Sequence, residues 1–250
     1  MEFNKDISSN TVSIPKLPVV FLVDTSGSMR ASVKKKPIEQ INRFLNNIAS
    51  PFSGSKYNSV DFAVIEFGSR AKVVREFAPI TTFSGTRLEA DGMTAMGEAI
   101  CMAYEMLRSL RRRYIECGVA YYRPIVLMLT DGEATDDINQ AAEIIFANSK
   151  KTSFWAAGID GCNKEQLFKL TKNSLYVDIN EIELKEFLCW LFSMLVGAYV
   201  AERQSIDGYS HLLPVGVYPI YDLIPQGLLD HDTPGSSQKL PPTPWNDWLD

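Results

Sequence analysis

Histidine is almost missing from this chain: the only two, His211 and His231, both lie beyond residue 204. The four cysteines, Cys101, Cys117, Cys162 and Cys189, form no Cys-x-x-Cys pair. So few soft ligands at such wide spacing exclude a zinc site of the usual pattern, and a secreted disulfide scaffold fits no better. Reduced, mostly buried thiols in a cytosol are the expectation. Basic charge is not in excess, with 25 Lys and Arg against 30 Asp and Glu and a formal net charge of −5. That balance argues against a nucleic-acid binder working through a broad basic face. No Gly-x-x-x-x-Gly-Lys-Ser/Thr phosphate loop occurs. Long apolar runs are missing too: the most apolar stretch, 187–200, contains Ser193 and Gly197, and a membrane span takes ~20 residues. The opening MEFNKDISSN lacks the apolar core of a signal peptide. A soluble, cytoplasmic protein is expected.

What is present is a regular alternation of apolar runs and helical patterns between residues 16 and 203. Residues 17–23, LPVVFLV, form a continuous apolar run, as in a strand buried on both faces. In 36–49, Ile38, Ile41, Leu45 and Ile48 mark one helical stripe, with Pro37 suited to the first turn. Residues 60–67 and 71–77 read as a hairpin joined by Gly68-Ser69-Arg70. A helix follows at 94–110, a second buried strand at 124–130, and a helix at 138–149 with Thr135, Asp136 or Asp137 as its cap. Strands at 153–159 and 175–179 enclose a short helix at 164–171, and 182–203 is the last helix. The order predicts a doubly wound, Rossmann-like α/β fold: a central, mostly parallel six-stranded sheet with one antiparallel edge strand and helices on both faces.

Composition changes after Gln204. Residues 205–250 hold 7 of the 13 prolines, and their six aspartates against one lysine carry the whole formal charge of −5. The expected organisation is an N-terminal extension at 1–14, a folded domain at 15–204 and a proline-rich acidic tail at 205–250.

Two of the buried strands run into acidic loops, Asp24-Thr25-Ser26-Gly27-Ser28 and Thr130-Asp131-Gly132-Glu133. Open α/β sheets place ligand sites outside the carboxyl ends of their strands. If Asp24, Ser26 and Ser28 project alternately from an extended loop, a carboxylate and two hydroxyls converge. These are hard oxygen donors suited to Mg²⁺, with Mn²⁺ or Ca²⁺ as alternatives. Asp131 can add a second carboxylate directly or through water. The competing reading is that Ser26 or Ser28 merely caps the following helix.

DTSGS after VVFLV, then DGMTAMGEAI, then PIVLMLTDGEATDD together resemble the von Willebrand factor type A domain over roughly residues 15–203. The resemblance implies a metal-ion-dependent adhesion site made of Asp24, Ser26, Ser28, Thr94 and Asp131. It also implies a non-enzymatic module whose bound Mg²⁺ accepts an Asp or Glu from a protein partner, and a last helix able to shift as a switch. VDTSGSM and the LTDGE-x-TDD loop are similar to compact bacterial members, TerY-like, associated with tellurium resistance and stress response. That likeness implies a multi-protein stress or defence system with kinase and phosphatase partners.

A Mg²⁺-dependent phosphatase using Asp24 as nucleophile is the enzymatic rival, but position 26 is serine where the second Asp of such enzymes would stand. A Ser-His-Asp hydrolase is disfavoured because both histidines are in the tail. A scaffold with a lapsed metal site is the remaining alternative. Lys34-Lys35-Lys36 and Arg111-Arg112-Arg113 read as solvated surface, and Asp136 and Asp137 as capping residues or additions to the metal shell. Met93 and Met96 read as core, or as an apolar rim around Thr94. The tail ends in PPTPWNDWLD. Its Trp245, Asp247, Trp248 and Asp250 are expected either to dock on a partner or to fold back. In one form of the latter, a tail carboxylate enters the metal site of the same or another chain.

Overall fold

Eight residues, Leu17–Asp24, form the central strand β1, and every one of them is buried. The alternation of side chains sends Val19, Phe21 and Val23 into one core and Val20 and Leu22 into another. The computed structural model describes residues 15–30, 36–50, 58–180, 182–200 and 217–219. Around β1 lie β2 (Val60–Phe67), β3 (Ala71–Pro79), β4 (Ile125–Thr130), β5 (Ser153–Gly158), β6 (Ser174–Val177) and β7 (Val217–Pro219). The helices are α1 (Pro37–Asn47), α2 (Met96–Glu116), α3 (Asn139–Ala147), α4 (Lys164–Leu170) and α5 (Leu184–Val200).

The sheet runs β3-β2-β1-β4-β5-β6-β7. Pairs among β2, β1, β4, β5 and β6 are parallel, and β3 joins antiparallel at one edge. This is the expected six-stranded architecture. The seventh strand, β7, adds a second antiparallel edge by pairing Val217–Pro219 with Leu175–Val177. Three paired residues among prolines carry no period-2 signal, so this strand is invisible to pattern reading.

One face of the sheet is covered by α1 and α5, the other by α2, α3 and α4. The stripe expected on α1 is the buried one, with Ile41 and Leu45 fully covered and Ile48 just past the helix end. On the same side, Phe192 of α5 meets the rings of Phe44, Phe21 and Phe62 at 5.0, 5.4 and 5.6 Å. At the opposite end of the sheet from the acidic loops, the Tyr114 hydroxyl donates to Asp61. Lys16 pairs with the same carboxylate at 3.3 Å, so the end of α2 is tied to the starts of β1 and β2. None of the helices among the described residues is long and apolar enough to cross a membrane.

The thiols depart from expectation. All four cysteines are free, but Cys101, Cys162 and Cys189 are half-buried and Cys117 is exposed. Cys117 is the residue just past the C-terminal end of α2, after the run Arg111-Arg112-Arg113.

Phe192→Ala removes the ring shared by three aromatic contacts. It should cost about 3–5 kcal/mol, read as a lowered urea midpoint with unchanged slope.

Candidate metal centre

Helices leave β1 and β4 towards opposite faces of the sheet, so the crevice outside their carboxyl ends is the topological switch point. Val23 lies opposite Leu129 in the parallel register, which brings Asp24 beside Thr130 and just short of Asp131. The consequence is direct: the Thr130 hydroxyl donates to Asp24 Oδ2 at 2.5 Å. The Ser26 N–H donates to Asp24 Oδ1 at 2.8 Å.

Beyond Asp24 the chain does not stay extended as expected. Gly27–Arg30 is a 3₁₀ turn, closed by the Met29 N–H on the Ser26 carbonyl at 3.1 Å. Met29 is completely buried, and that anchor pulls the turn inward. The turn still brings the hydroxyls together, with Ser26 Oγ and Ser28 Oγ 2.9 Å apart. Ser28 then donates to Asp131 Oδ1 at 2.6 Å. Neither serine caps α1, which starts after Lys36 without a side-chain cap.

Thr94 reaches the same place from the start of α2. A side chain added at Gly132 would begin 3.4 Å from Thr94 Oγ1 and 3.7 Å from Asp24 Oδ2. The loop ahead of Thr94 is held by Gly27 N–H on the Gly92 carbonyl at 3.0 Å and Asp91 N–H on the Thr25 carbonyl at 2.7 Å. Gly92 has φ +82°, and a Cβ there would strike Ser69 Oγ at 2.2 Å, so only glycine lets the loop pass. Asp24, Ser26, Ser28, Thr94 and Asp131 thus meet at one end of the sheet. Trp245, Asp247, Trp248 and Asp250 lie outside the described residues, as do both histidines, Lys34 and Lys35.

Thr130 was not expected to take part, and Thr135 and Asp136, expected to cap the helix at 138–149, serve elsewhere. Thr130 orients Asp24; a hydroxyl just before Asp131 at a strand end was its only signal. Thr135 braces Thr94 twice, its Oγ1 accepting from the Thr94 N–H at 3.1 Å and its N–H donating to the Thr94 carbonyl at 2.9 Å. Asp136 accepts from the Gly97 and Glu98 N–H groups at 3.0 and 2.8 Å. It therefore caps α2, the preceding helix, while Asp137 accepts from Asn139 at the start of α3. A Cβ on Gly97 would lie 2.4 Å from the Asp137 carbonyl; glycine permits that approach. Met96 is buried, whereas Met93 is 59% exposed beside Thr94.

Electrostatics sharpen the picture. Asp24 is fully buried and Asp131 nearly so, while Ser28 faces solvent. Burial raises the pKa of Asp24 despite the hydrogen bonds from Thr130 and Ser26. Asp131 is pushed up to about 6, chiefly by burial, against the Ser28 hydrogen bond and with the Asp24 charge adding to the rise. Among the described residues neither carboxylate has a lysine or arginine partner. No group of three His, Cys, Asp or Glu side chains placed to hold a metal ion occurs among the described residues either. The donor set is two carboxylates and three hydroxyls. Hard oxygens around uncompensated negative charge fit a hard divalent cation and do not fit a soft one.

The family model described as von Willebrand factor type A domain matches residues 19–187. Among solved structures, the chain is similar to a von Willebrand factor type A protein from Catenulispora acidiphila, at 18% identity and TM-score 0.55. That match covers 76% of this chain and 44% of the other, so this chain spans less than half of its length. BatB of Bacteroides thetaiotaomicron, a conserved hypothetical protein, is 16% identical with TM-score 0.54 over 74% of this chain and 100% of its own. The pilus adhesin SpaC of Lactobacillus rhamnosus GG is 12% identical with TM-score 0.56, over 75% of this chain and 31% of its own. At these identities the likeness is one of fold. No curated protein sequence matches the chain.

Asp136→Ala leaves two N–H groups of α2 without their acceptor. It should cost about 1–2 kcal/mol, measured as a loss of unfolding free energy in urea.

Proposed function

Because the chain belongs to the von Willebrand factor type A domain family, we propose that it is a non-enzymatic protein-interaction module. In this reading Asp24, Ser26, Ser28, Thr94 and Asp131 hold a divalent cation, Mg²⁺ foremost with Mn²⁺ or Ca²⁺ as substitutes, and present it to a partner's carboxylate. Domains of this family commonly mediate metal-dependent protein interactions. The observation that carries the proposal is the meeting of two buried carboxylates and three hydroxyls with no cationic side chain among the described residues to offset them.

The bound cation would supply a Lewis-acid position for an oxygen of the partner. Asp24 and Asp131 balance its charge, and Thr130 together with the Ser26 N–H fixes both oxygens of Asp24 while leaving each a second lone pair. The serines and Thr94 are neutral donors, so the pair of charges is not exceeded. Exposure of Ser28 leaves the approach open on the solvent side. Mg²⁺ keeps several of its waters, which suits a site with few protein oxygens and a position to exchange. Ser26 shares its hydroxyl with Ser28 and offers no carboxylate for the acid step of an aspartate-nucleophile phosphatase.

The finer reading is a cytoplasmic role in a bacterial stress-response or defence assembly of the tellurium-resistance kind, beside kinase and phosphatase partners. The likeness of VDTSGSM and LTDGE-x-TDD to compact bacterial members supports it.

Saturating Mg²⁺ should raise the melting temperature of the wild type, since a ligand at a hundredfold of its Kd adds about 2.7 kcal/mol. The same titration on Asp24→Ala should show no rise. A wild type indifferent to Mg²⁺ and Mn²⁺ would contradict the proposal. Affinity capture in Mg²⁺ followed by EDTA should release the partners that depend on the metal.

A further inference from the structure

The arginine run 111–113 has a place in the fold that its sequence does not announce. Between α2 and α3 runs a groove of about 880 Å³ that includes Arg111 and Arg112. It follows the second half of α2, away from the candidate metal centre at that helix's start. Tyr104, Tyr121 and Ile144 give it apolar walls, and Ile115 stands at its edge, 70% exposed. Its charges are mixed but not balanced. Arg108 pairs with Glu105 at 3.8 Å and Arg112 with Glu116 at 2.8 Å. Arg111 and Lys151 also line the groove and have no ion-pair partner among the described residues. At the floor, Tyr104 is 5% exposed and its hydroxyl lacks any hydrogen-bond partner. A groove with two spare cations, a donor in need of an acceptor and aromatic walls suits a peptide bearing carboxylates and aromatic rings. The two glutamates make it a poor fit for a polyphosphate.

The chain carries such a peptide. We propose that residues 241–250, PPTPWNDWLD, dock in the α2–α3 groove of their own chain. Trp245 and Trp248 would lie against Tyr104, Tyr121 and Ile144, with Asp247 and Asp250 answering Arg111 and Lys151. Charge favours this, because 205–250 holds six aspartates and one lysine. Length allows it: β7 ends at Pro219 on the β6 edge, and α4 and α3 pack on the same face of the sheet as α2. Three strand intervals of ~4.8 Å and one layer of ~10 Å separate the two places, while residues 220–240 as a coil span roughly 25 Å. The metal position offers this segment one carboxylate contact, but the groove takes both its rings and its charges. Docked there, Asp247 and Asp250 are kept from the metal position, which stays open to a partner. The proposal holds whether or not a metal binds.

Full-length chain labelled with 5-fluorotryptophan gives a ¹⁹F signal for each of its four tryptophans, assigned with Trp245→Phe and Trp248→Phe. At least one of the Trp245 and Trp248 signals should be protected from the H₂O/D₂O solvent shift. Arg111→Glu with Lys151→Glu should abolish that protection while the Trp155 and Trp190 signals stay in place, reporting an intact fold. Full solvent shift at both positions in the wild type would overturn the proposal, as would protection that survives the charge reversal. Protection lost on dilution would assign the contact to a second copy and overturn docking within the chain. Protection that follows Mg²⁺ and EDTA would place the segment at the metal instead, and also overturn it.

Discussion

Two carboxylates are brought to the ends of neighbouring parallel strands by the register of β1 and β4, and much of the surrounding structure answers to that constraint. Strands in a sheet lie ~4.8 Å apart, so Asp24 and Asp131 are close whatever their rotamers. Both are buried, burial opposes the ionisation of each, and the Asp24 charge further opposes that of Asp131. A folded chain can hold such a pair only if its environment supplies donors or a counter-charge. The donors are visible: Thr130 and the Ser26 N–H on Asp24, and Ser28 on Asp131. The counter-charge is what the proposed cation contributes.

The scaffold fixes those donors from both faces. Below the sheet, Phe192 of α5 locks Phe21 of β1 and Phe44 of α1 into one aromatic cluster. Above it, α2 is held at its start by Asp136 and at its end by the Tyr114–Asp61 contact. Thr94 therefore sits at the head of a helix anchored at both ends. Gly92 and Gly97 make the close approaches that bring the 90–94 loop and the 131–137 loop against each other. This rigidity is the form of preorganisation a weakly solvated, oxygen-based site requires.

The sheet and its helices were legible in the sequence because buried parallel strands are continuous apolar runs and amphipathic helices repeat at 3.6 residues. LPVVFLV and the Ile38, Ile41, Leu45, Ile48 stripe are such cases. The acidic ends of β1 and β4 stood out for the complementary reason, as polar clusters following buried runs. What stayed hidden depends on contacts across the fold. Asp136 reads locally as a cap for α3, yet the packing of Gly97 against Asp137 hands it to α2. The turn at Gly27–Arg30 follows from the burial of Met29, which no short motif announces. Thr130 acquires its role only from the strand register. β7 is three residues among prolines, and the groove beside Arg111 is lined from both α2 and α3, which only the fold brings together.

Electron paramagnetic resonance of Mn²⁺ tests the central claim most directly, because the aquo ion gives a strong signal that weakens when the metal enters a protein site. Titrated into the full chain, Mn²⁺ should lose this free signal up to one equivalent, and Asp131→Asn should leave it free throughout. If the wild type leaves the aquo signal intact, the two carboxylates are not a cation site and the account fails.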